Sequence, residues 1–200
     1  MHILLSGKYA SPVGAVAEEL KKKWGALGTA VYCHNAKAPV LLMRDALHSV
    51  AQQFGYNPEE PDPDLFMQQA LLDWGRERDL QWWGKLAKRR IDEVTGNWEQ
   101  LGLFHVTVVQ NLCFKEDYEL FPRAYRVYVL PRADFVPNMI HGHHCSETAL
   151  DQWVRDYKND KFPVYDLVLT ADEGSPEEIA NVIFEGFNER FKSGFRNFFN

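Results

Sequence analysis

The chain has 200 residues, of which 46% are hydrophobic and 25% are charged, and its formal net charge is −6 at pH 7. This composition is typical of a globular domain that buries a core, and it argues against a disordered chain. The negative charge argues against an extended basic surface for nucleic acid or for an anionic membrane. We therefore expect a single domain over residues 1–200.

Three cysteines are scattered along the sequence, namely Cys33, Cys113 and Cys145. Their spacing indicates neither a disulfide framework nor a zinc ribbon. The apolar run at 3–5 is too short for the core of a signal peptide, and no segment approaches the length of a membrane span. These observations predict a cytoplasmic protein without a membrane partner.

A strand, a loop and a helix are predicted at the start of the chain. Residues 2–5 form a short apolar run, and Ser11 and Pro12 suit the N-cap and the first position of the next helix. A second strand is predicted at 30–32 and a second helix at 40–54. The predicted buried face of that second helix consists of Leu42, Ala46, Val50 and Phe54.

Two helical patterns lie in the middle of the chain, at 65–74 and 79–94, after a rigid acidic connector at 57–64. Together they predict a helical insertion over 57–98. Tryptophans such as Trp82 within these patterns suit either a packed core or the wall of a nucleoside pocket.

Three later runs rich in β-branched and aromatic residues predict strands at 104–109, 125–130 and 165–169. The last helix has a capping-box pattern of Ser175, Pro176 and Glu178. Its predicted buried face is formed by Ile179, Val182, Ile183 and Phe187. Strands separated by helices predict an α/β fold with a mainly parallel sheet that helices cover on both faces.

The loop after the first strand is where such folds bind phosphate, because helix amides and the helix dipole meet there. Against the phosphate-loop pattern, Gly7 matches the first glycine, whereas Pro12, Val13 and Gly14 replace the second glycine, the lysine and the hydroxyl residue. Pro12 has no amide to donate, Val13 cannot neutralise phosphate, and Gly14 offers magnesium no hydroxyl. Ordinary use of ATP is therefore not expected.

Two interpretations of this loop stay open. Lys8 is a cation early in the loop that could contact phosphate, with Gly7, Ser11 and Gly14 supplying backbone groups. Alternatively, residues 7–14 form only a tight turn between a strand and a helix.

Four segments in this order resemble the deoxynucleoside monophosphate kinases of bacteriophages, a branch of the P-loop kinases. They are Leu4-Leu-Ser-Gly-Lys-Tyr-Ala-Ser11, Met67-Gln-Gln-Ala-Leu-Leu-Asp-Trp-Gly-Arg76, Val106-Thr-Val-Val-Gln-Asn-Leu-Cys-Phe114 and His144-Cys-Ser-Glu-Thr-Ala-Leu150. The resemblance spans most of the chain and implies a P-loop kinase-like fold, with the insertion on the acceptor side and a lid-like region at 131–157. It also implies a bacterial host cytoplasm, if the chain is phage-encoded.

The chain departs from this family where the family holds its charged groups. The resemblance places an aspartate and an arginine where this chain has Asn111 and Cys113. An amide is a poor anchor for magnesium, and a thiol supplies no fixed cation for phosphoryl transfer. Together with the loop, these losses suggest a retired catalyst whose former cofactors would be ATP and Mg²⁺.

Several arginines remain as candidate anion contacts. Arg76 and Arg78 on the acceptor side could fork onto a phosphate, and the alternative is a surface salt bridge. Arg126 and Arg132 lie where the resemblance places lid arginines that stabilise charge during transfer. The alternative for Arg126 is a solvated position on an edge strand.

The densest group of soft-metal ligands is His141, His143, His144 and Cys145. No second ligand pair at structural-zinc spacing accompanies it, so a loop before a helix capped by Ser146 is preferred to a metal site. Two functions remain. The first is a nucleotide- or phosphate-binding protein with weak or no phosphoryl transfer, and the second is a pseudo-enzyme that binds or inhibits another protein.

Overall fold

The computed structural model describes residues 1–7, 11–53, 61–112, 114–133 and 165–195. The strands in these ranges are β1 (His2–Gly7), β2 (Ala30–Asn35), β3 (His105–Gln110), β4 (Tyr125–Leu130) and β5 (Leu167–Thr170). The helices are α1 (Val13–Ala26), α2 (Ala38–Gln52), α3 (Pro61–Arg78), α4 (Trp82–Gln100), α5 (Lys115–Tyr118) and α6 (Pro176–Phe195). A short 3-10 helix at Ala171–Glu173 follows β5.

The strands form one sheet in the order β2-β3-β1-β4-β5, and every neighbouring pair is parallel. Parallel neighbours require crossover connections, and the helices of those connections cover the two faces of the sheet. The predicted α/β fold with a parallel sheet and helices on both faces is confirmed, and this arrangement is consistent with a kinase-like fold.

Two apolar clusters fill the space between the sheet and its helices. One joins β1 and β4 to α1 and α6, and its members include Val16, Trp24 and Phe187, each no more than 2% exposed. The other lies on the opposite face, where residues such as Ile91 and Tyr118 join the sheet to α3, α4 and α5. Since central parallel strands are buried on both faces, Ile3, Leu4 and Leu5 are completely inaccessible to solvent.

The start of α1 differs from its prediction. The N-cap is Pro12 rather than Ser11, and no side chain caps the helix. Oγ of Ser11 is instead buried and has no hydrogen-bond partner among the described residues. Proline suits this position because its ring restricts φ, here −78°, to a value that is compatible with the start of a helix.

The predicted buried face of α2 is wrong. Val40 is only 2% exposed, whereas Leu42 and Val50 are 70% and 53% exposed. Phe54 lies outside the described residues. The apolar residues of α2 lie on more than one side of the helix, so their spacing alone does not identify the buried face. Val40 packs in the core, and Leu42 consequently faces outward.

The capping box of α6 is confirmed. The backbone N–H of Ser175 donates to Oε2 of Glu178 over 2.7 Å, and the N–H of Glu178 donates to Oγ of Ser175 over 3.3 Å. The predicted face is correct at Ile179, Ile183 and Phe187, but Val182 is 45% exposed. Among the described residues, no helix is both long and apolar enough to cross a membrane.

Candidate functional site

The carboxyl end of β1 lies where the direction of the chain across the sheet reverses. From β1 the chain crosses to β2 on one side, whereas from β3 it crosses to β4 on the other. Open parallel sheets bind ligands in the crevice outside the strand ends at such a point. Gly7 pairs in register with Val129 of β4, so the two strands end together at this crevice.

Gly7 ends β1 in a space too small for a side chain. A Cβ on Gly7 would lie 2.7 Å from Cβ of Ser11, 2.7 Å from the carbonyl oxygen of Val129 and 2.8 Å from Cγ2 of Val13. The chain therefore packs closely against the end of β1 as it approaches α1. Lys8, the predicted phosphate contact, lies outside the described residues.

The first turn of α1 lacks the side chains that hold phosphate in kinases. Val13 is 4% exposed and packs in the cluster between α1 and α6. Gly14 is exposed, and the nearest atom to a Cβ placed there would be Oε1 of Gln110, 3.8 Å away. Pro12 has no amide hydrogen. The residues described here therefore do not fit a kinase-type site for magnesium and ATP.

A shallow cleft of about 440 Å³ opens between the ends of β4 and β5 and the first residues of α1 and α6. Its lining includes Pro12, Arg132, Asp172 and Ser175. The Arg132 guanidinium is 67% exposed and lies 3.8 Å from Asp172, whose other oxygen accepts the backbone N–H of Ala133. The cleft thus combines an exposed cation, paired with Asp172, with the amino ends of α1 and α6, of which that of α6 is already capped by Glu178.

Arg76 is engaged by neighbouring groups on three sides. Its Nη1 donates to the carbonyl of Leu80 over 3.0 Å, its Nη2 lies 3.5 Å from Oε2 of Glu116, and its guanidinium lies 3.8 Å above the ring of Phe114. These contacts join the end of α3 to α5. Phosphate binding by Arg76 stays a prediction.

Arg78 and Trp82 lie at the outer end of the same helix pair. Arg78 donates to the carbonyl of Trp74 over 3.0 Å and lies 4.0 Å above the Trp74 ring. Trp82 is half-buried, and its ring meets that of Trp74 edge to face at 6.0 Å. The structure brings Arg78 and Trp82 to the same Trp74 but leaves their predicted roles in binding untested.

Arg126 lies well away from the loop. Its backbone pairs with Leu4 in the register of β1, three residues before Val129, and its guanidinium lies 5.7 Å from the ring of Tyr118. The alternative of an edge position is wrong, because β4 has β1 and β5 as neighbours. Arg126 and Arg132 are therefore at opposite ends of β4.

Asn111 takes a left-handed backbone conformation directly after β3, with φ of 61°. Its Nδ2 donates to Oδ1 of Asn35 over 3.1 Å, and the same oxygen accepts the backbone N–H of Lys37 over 3.0 Å. Asparagine is among the few residues other than glycine that adopt this conformation readily. The side chain thus bridges the carboxyl ends of β3 and β2.

Asp117 is the functional candidate that the sequence did not single out. It is 3% exposed, and its Oδ1 has no hydrogen-bond partner in the described part of the chain. It lines a small cavity, with room for about one water-sized group, together with Lys37, Asn111 and Trp83. Burial raises the pKa of Asp117 to about 7, although Arg76 acts in the opposite direction.

Asp117 has no recognisable signal in the sequence, for two structural reasons. The residue lies in α5, whose four residues are too few for a hydrophobic period. Its burial depends on α4, which is distant in sequence. A buried carboxyl that faces a cavity beside the strand ends is a candidate ligand contact on physical grounds.

Hydroxyl groups form a second buried polar feature below the crevice. Oγ of Ser6 donates to the carbonyl of Leu112 over 2.8 Å and lies 2.6 Å from the hydroxyl of Tyr118. That hydroxyl also lies 3.3 Å from the hydroxyl of Tyr165. These contacts satisfy one another, so this network joins β1, α5 and the residues just before β5.

Metal ligands do not converge in the described ranges, where no group of three or more His, Cys, Asp or Glu side chains could hold an ion. The cluster of His141, His143, His144 and Cys145 lies outside those ranges. The same is true of Cys113 and of most of the predicted lid at 131–157.

No protein-family model matches the chain, and no curated protein matches it. Among solved structures, an uncharacterized protein from Eubacterium ventriosum ATCC 27560 aligns with a TM-score of 0.42 and 12% identity over 94% of this chain and 98% of that chain. An unliganded sugar kinase from Janibacter sp. HTCC2649 aligns with a TM-score of 0.41 and 11% identity over 94% of each chain. Likenesses this distant carry no argument about activity.

Proposed function

We propose that this chain is a relative of the deoxynucleoside monophosphate kinases that binds a nucleotide at the carboxyl edge of its sheet and transfers phosphoryl groups weakly or not at all. The observation that carries the proposal is the burial of Val13, which is 4% exposed where a kinase has its phosphate-loop lysine. Phosphoryl transfer depends on cations placed around the phosphates. An apolar residue packed into the core cannot supply one.

Two features at the same edge support retained binding. The cleft beside Arg132 offers an exposed cation and two helix amino ends to an anionic group. The cavity beside Asp117, with room for about one water-sized group, offers a buried hydrogen-bond acceptor to one small ligand N–H or O–H group or to a water that bridges to the ligand. A nucleoside monophosphate carries both kinds of group.

Thermal unfolding of the full chain with each deoxynucleoside monophosphate, with and without Mg-ATP, tests binding. A ligand at about a hundred times its dissociation constant should raise the free energy of unfolding by about 2.7 kcal/mol. Asp117→Asn should weaken the effect at least about tenfold in dissociation constant, since one ligand donor loses an ionisable acceptor. Asp92→Asn, on the exposed face of α4, is the matched control. If no nucleotide stabilises the wild-type chain, the binding proposal fails.

Product formation from each monophosphate and Mg-ATP, followed by chromatography, tests the loss of transfer. We expect little or no product. Robust turnover that disappears in Lys8→Ala would contradict this part of the proposal, because it would identify Lys8 as a replacement for the missing lysine.

A protein-binding pseudo-enzyme is the second candidate, and the outer face of α2 favours it. Leu42, Leu47 and Val50 are 70%, 45% and 53% exposed on this helix. Exposed apolar residues that cluster on one element are typical of interaction surfaces. This function predicts that no nucleotide changes the melting temperature, which is the opposite of the result expected for the first candidate.

A further inference from the structure

The carboxyl group of Asp117 lies against the amino end of α4. The third residue of that helix is Gly84, and the N-cap Gln81 makes no side-chain capping hydrogen bond. The first amides of a helix lack partners within the helix. The amide of Gly84 interacts with the Asp117 carboxyl and favours its ionised form, against the larger effect of burial.

A side chain at position 84 would take the space of this carboxyl. A Cβ on Gly84 would meet Oδ1 of Asp117 first, and it would lie 2.7 Å from Cγ and 2.9 Å from Cβ of that residue. Real Cβ atoms essentially never come so close to another carbon, and both residues are buried, so the aspartate would have to move. Position 84 therefore needs glycine because Asp117 occupies the space of a side chain. The helix itself does not need it, since glycine within a helix is less stable than alanine.

The surrounding contacts hold α5 in one position relative to α4. Nε2 of Gln81 donates to the carbonyl of Glu116 over 2.7 Å, and Arg76 contacts both Glu116 and Phe114. These contacts fix the backbone just before Asp117.

We propose that Gly84 is a positioning residue for Asp117, because the absence of its side chain lets the carboxyl lie against the amino end of α4, at the wall of the cavity. Oδ1, the Asp117 atom nearest to position 84, is buried without a hydrogen-bond partner among the described residues, and capping of α4 alone does not account for this cost. The inference rests on the proposed ligand contact of Asp117, but the titration that tests it requires no ligand.

The charged groups around Asp117 come from three directions. Arg76 and Asp79 belong to the end of α3 and the turn after it, and Glu116 is its neighbour in α5. Lys37, which precedes α2, lines the same cavity. A substitution at position 84 changes none of these charged residues. A change in the pKa of Asp117 would therefore show that its carboxyl group has moved.

The test compares Gly84→Ala with Gly96→Ala, a second glycine of α4 where an added Cβ meets no atom within 4 Å. The titration of Asp117 is followed by the chemical shift of its carboxyl carbon and assigned with Asp117→Asn. We expect the midpoint, about 7 in the wild-type chain, to fall by more than about one pH unit in Gly84→Ala and to stay unchanged in Gly96→Ala. A midpoint that is unchanged or raised in Gly84→Ala would overturn the inference.

A double-mutant cycle covers the case in which Gly84→Ala folds poorly. In the background Asp117→Gly, which removes the atoms that a new Cβ would strike, Gly84→Ala should be no more destabilising than Gly96→Ala. An equal loss of stability in both backgrounds would contradict the pairing. If the titration shifts as expected but no variant binds a nucleotide, the positioning role stands and the proposed function fails.

Discussion

The side-chain amide of Asn111 donates a hydrogen bond to Oδ1 of Asn35 and thereby joins the ends of two neighbouring strands. The same acceptor already takes the backbone N–H of Lys37. An aspartate at position 111 would set a carboxylate against this oxygen and would supply no donor at neutral pH. The amide therefore has a structural use here that a carboxylate at this position could not serve.

Asn111→Asp should lower the free energy of unfolding by about 1–2 kcal/mol without creating phosphoryl transfer. Urea unfolding at pH 7 and the chromatographic assay measure the two effects. Asn111→Gly is the control, because glycine accepts the φ of 61° and removes only the amide. An Asn111→Asp chain as stable as the wild type and newly active would contradict this account.

Gly7→Ala should destabilise the chain by about 2 kcal/mol or more, because its Cβ would meet the Val129 carbonyl, a backbone atom in a paired strand that cannot turn aside. Gly25→Ala, in α1, meets no atom within 4 Å and should be neutral or stabilising by up to about 1 kcal/mol. Denaturant midpoints of the two variants decide the matter. Equal midpoints would mean that the end of β1 has room to relax.

Much of the fold follows from the sequence because its elements carry strong local signals. The predicted strand at 125–130 matches β4, and the capping box of Ser175 and Glu178 begins α6 where expected. Parallel topology follows from the alternation of strands and helices. The face of α2 did not follow, because apolar residues on all sides of that helix leave its orientation to tertiary packing around Val40.

The candidate site was less predictable than the fold. Residues 7–14 can be compared with the phosphate-loop pattern because that pattern has fixed spacing, and the role of the loop stays a prediction. Asp117 could not be recognised, because its burial arises from contact with Gly84, a residue 33 positions earlier whose only signal is a missing side chain. A contact between residues so far apart in the chain produces no periodic pattern in the sequence.

Introducing the phosphate-loop side chains at positions 13 and 14 should give one tolerated and one harmful change. Gly14→Ser should fold normally, since the nearest atom to its Cβ is 3.8 Å away. Val13→Lys should cost about 3 kcal/mol or more, because it puts an ammonium group into the cluster between α1 and α6. Circular dichroism melts of the single and double variants measure these costs. A Val13→Lys chain of wild-type stability would show that position 13 can turn toward the crevice.

Acid should destabilise the chain through His2, at the end of the sheet opposite the crevice. Burial, with help from the N-terminal amine, Lys88 and His105, lowers the pKa of His2 from 6.5 to about 4. Nδ1 of His2 is buried without a hydrogen-bond partner among the described residues, and the ring packs edge to face on Phe121 at 5.3 Å. The folded chain therefore favours the neutral imidazole, because a proton added at Nδ1 would find no hydrogen-bond acceptor among the described residues.

The sign of the effect follows from proton linkage. Between pH 6.5 and about 4 the unfolded chain protonates His2 while the folded chain does not, so stability falls as the pH falls, by up to about 1.4 kcal/mol for each pH unit. Asp117 acts in the opposite sense, because its raised pKa makes stability fall as the pH rises from about 4 to about 7. Only variants of the single residues can separate these two contributions.

His2→Phe keeps the aromatic contact and removes the titration, so its gain in stability over the wild type should grow as the pH falls from 7 to 4. Urea unfolding at pH 8, 6 and 4.5 measures that difference, and the value at pH 8, where the imidazole is neutral in both states, serves as the reference. Asp117→Asn should give the reverse trend, with its relative gain growing toward pH 7. If the His2→Phe and wild-type curves run parallel across this range, His2 is not held neutral by the fold, and acid sensitivity must arise from another group.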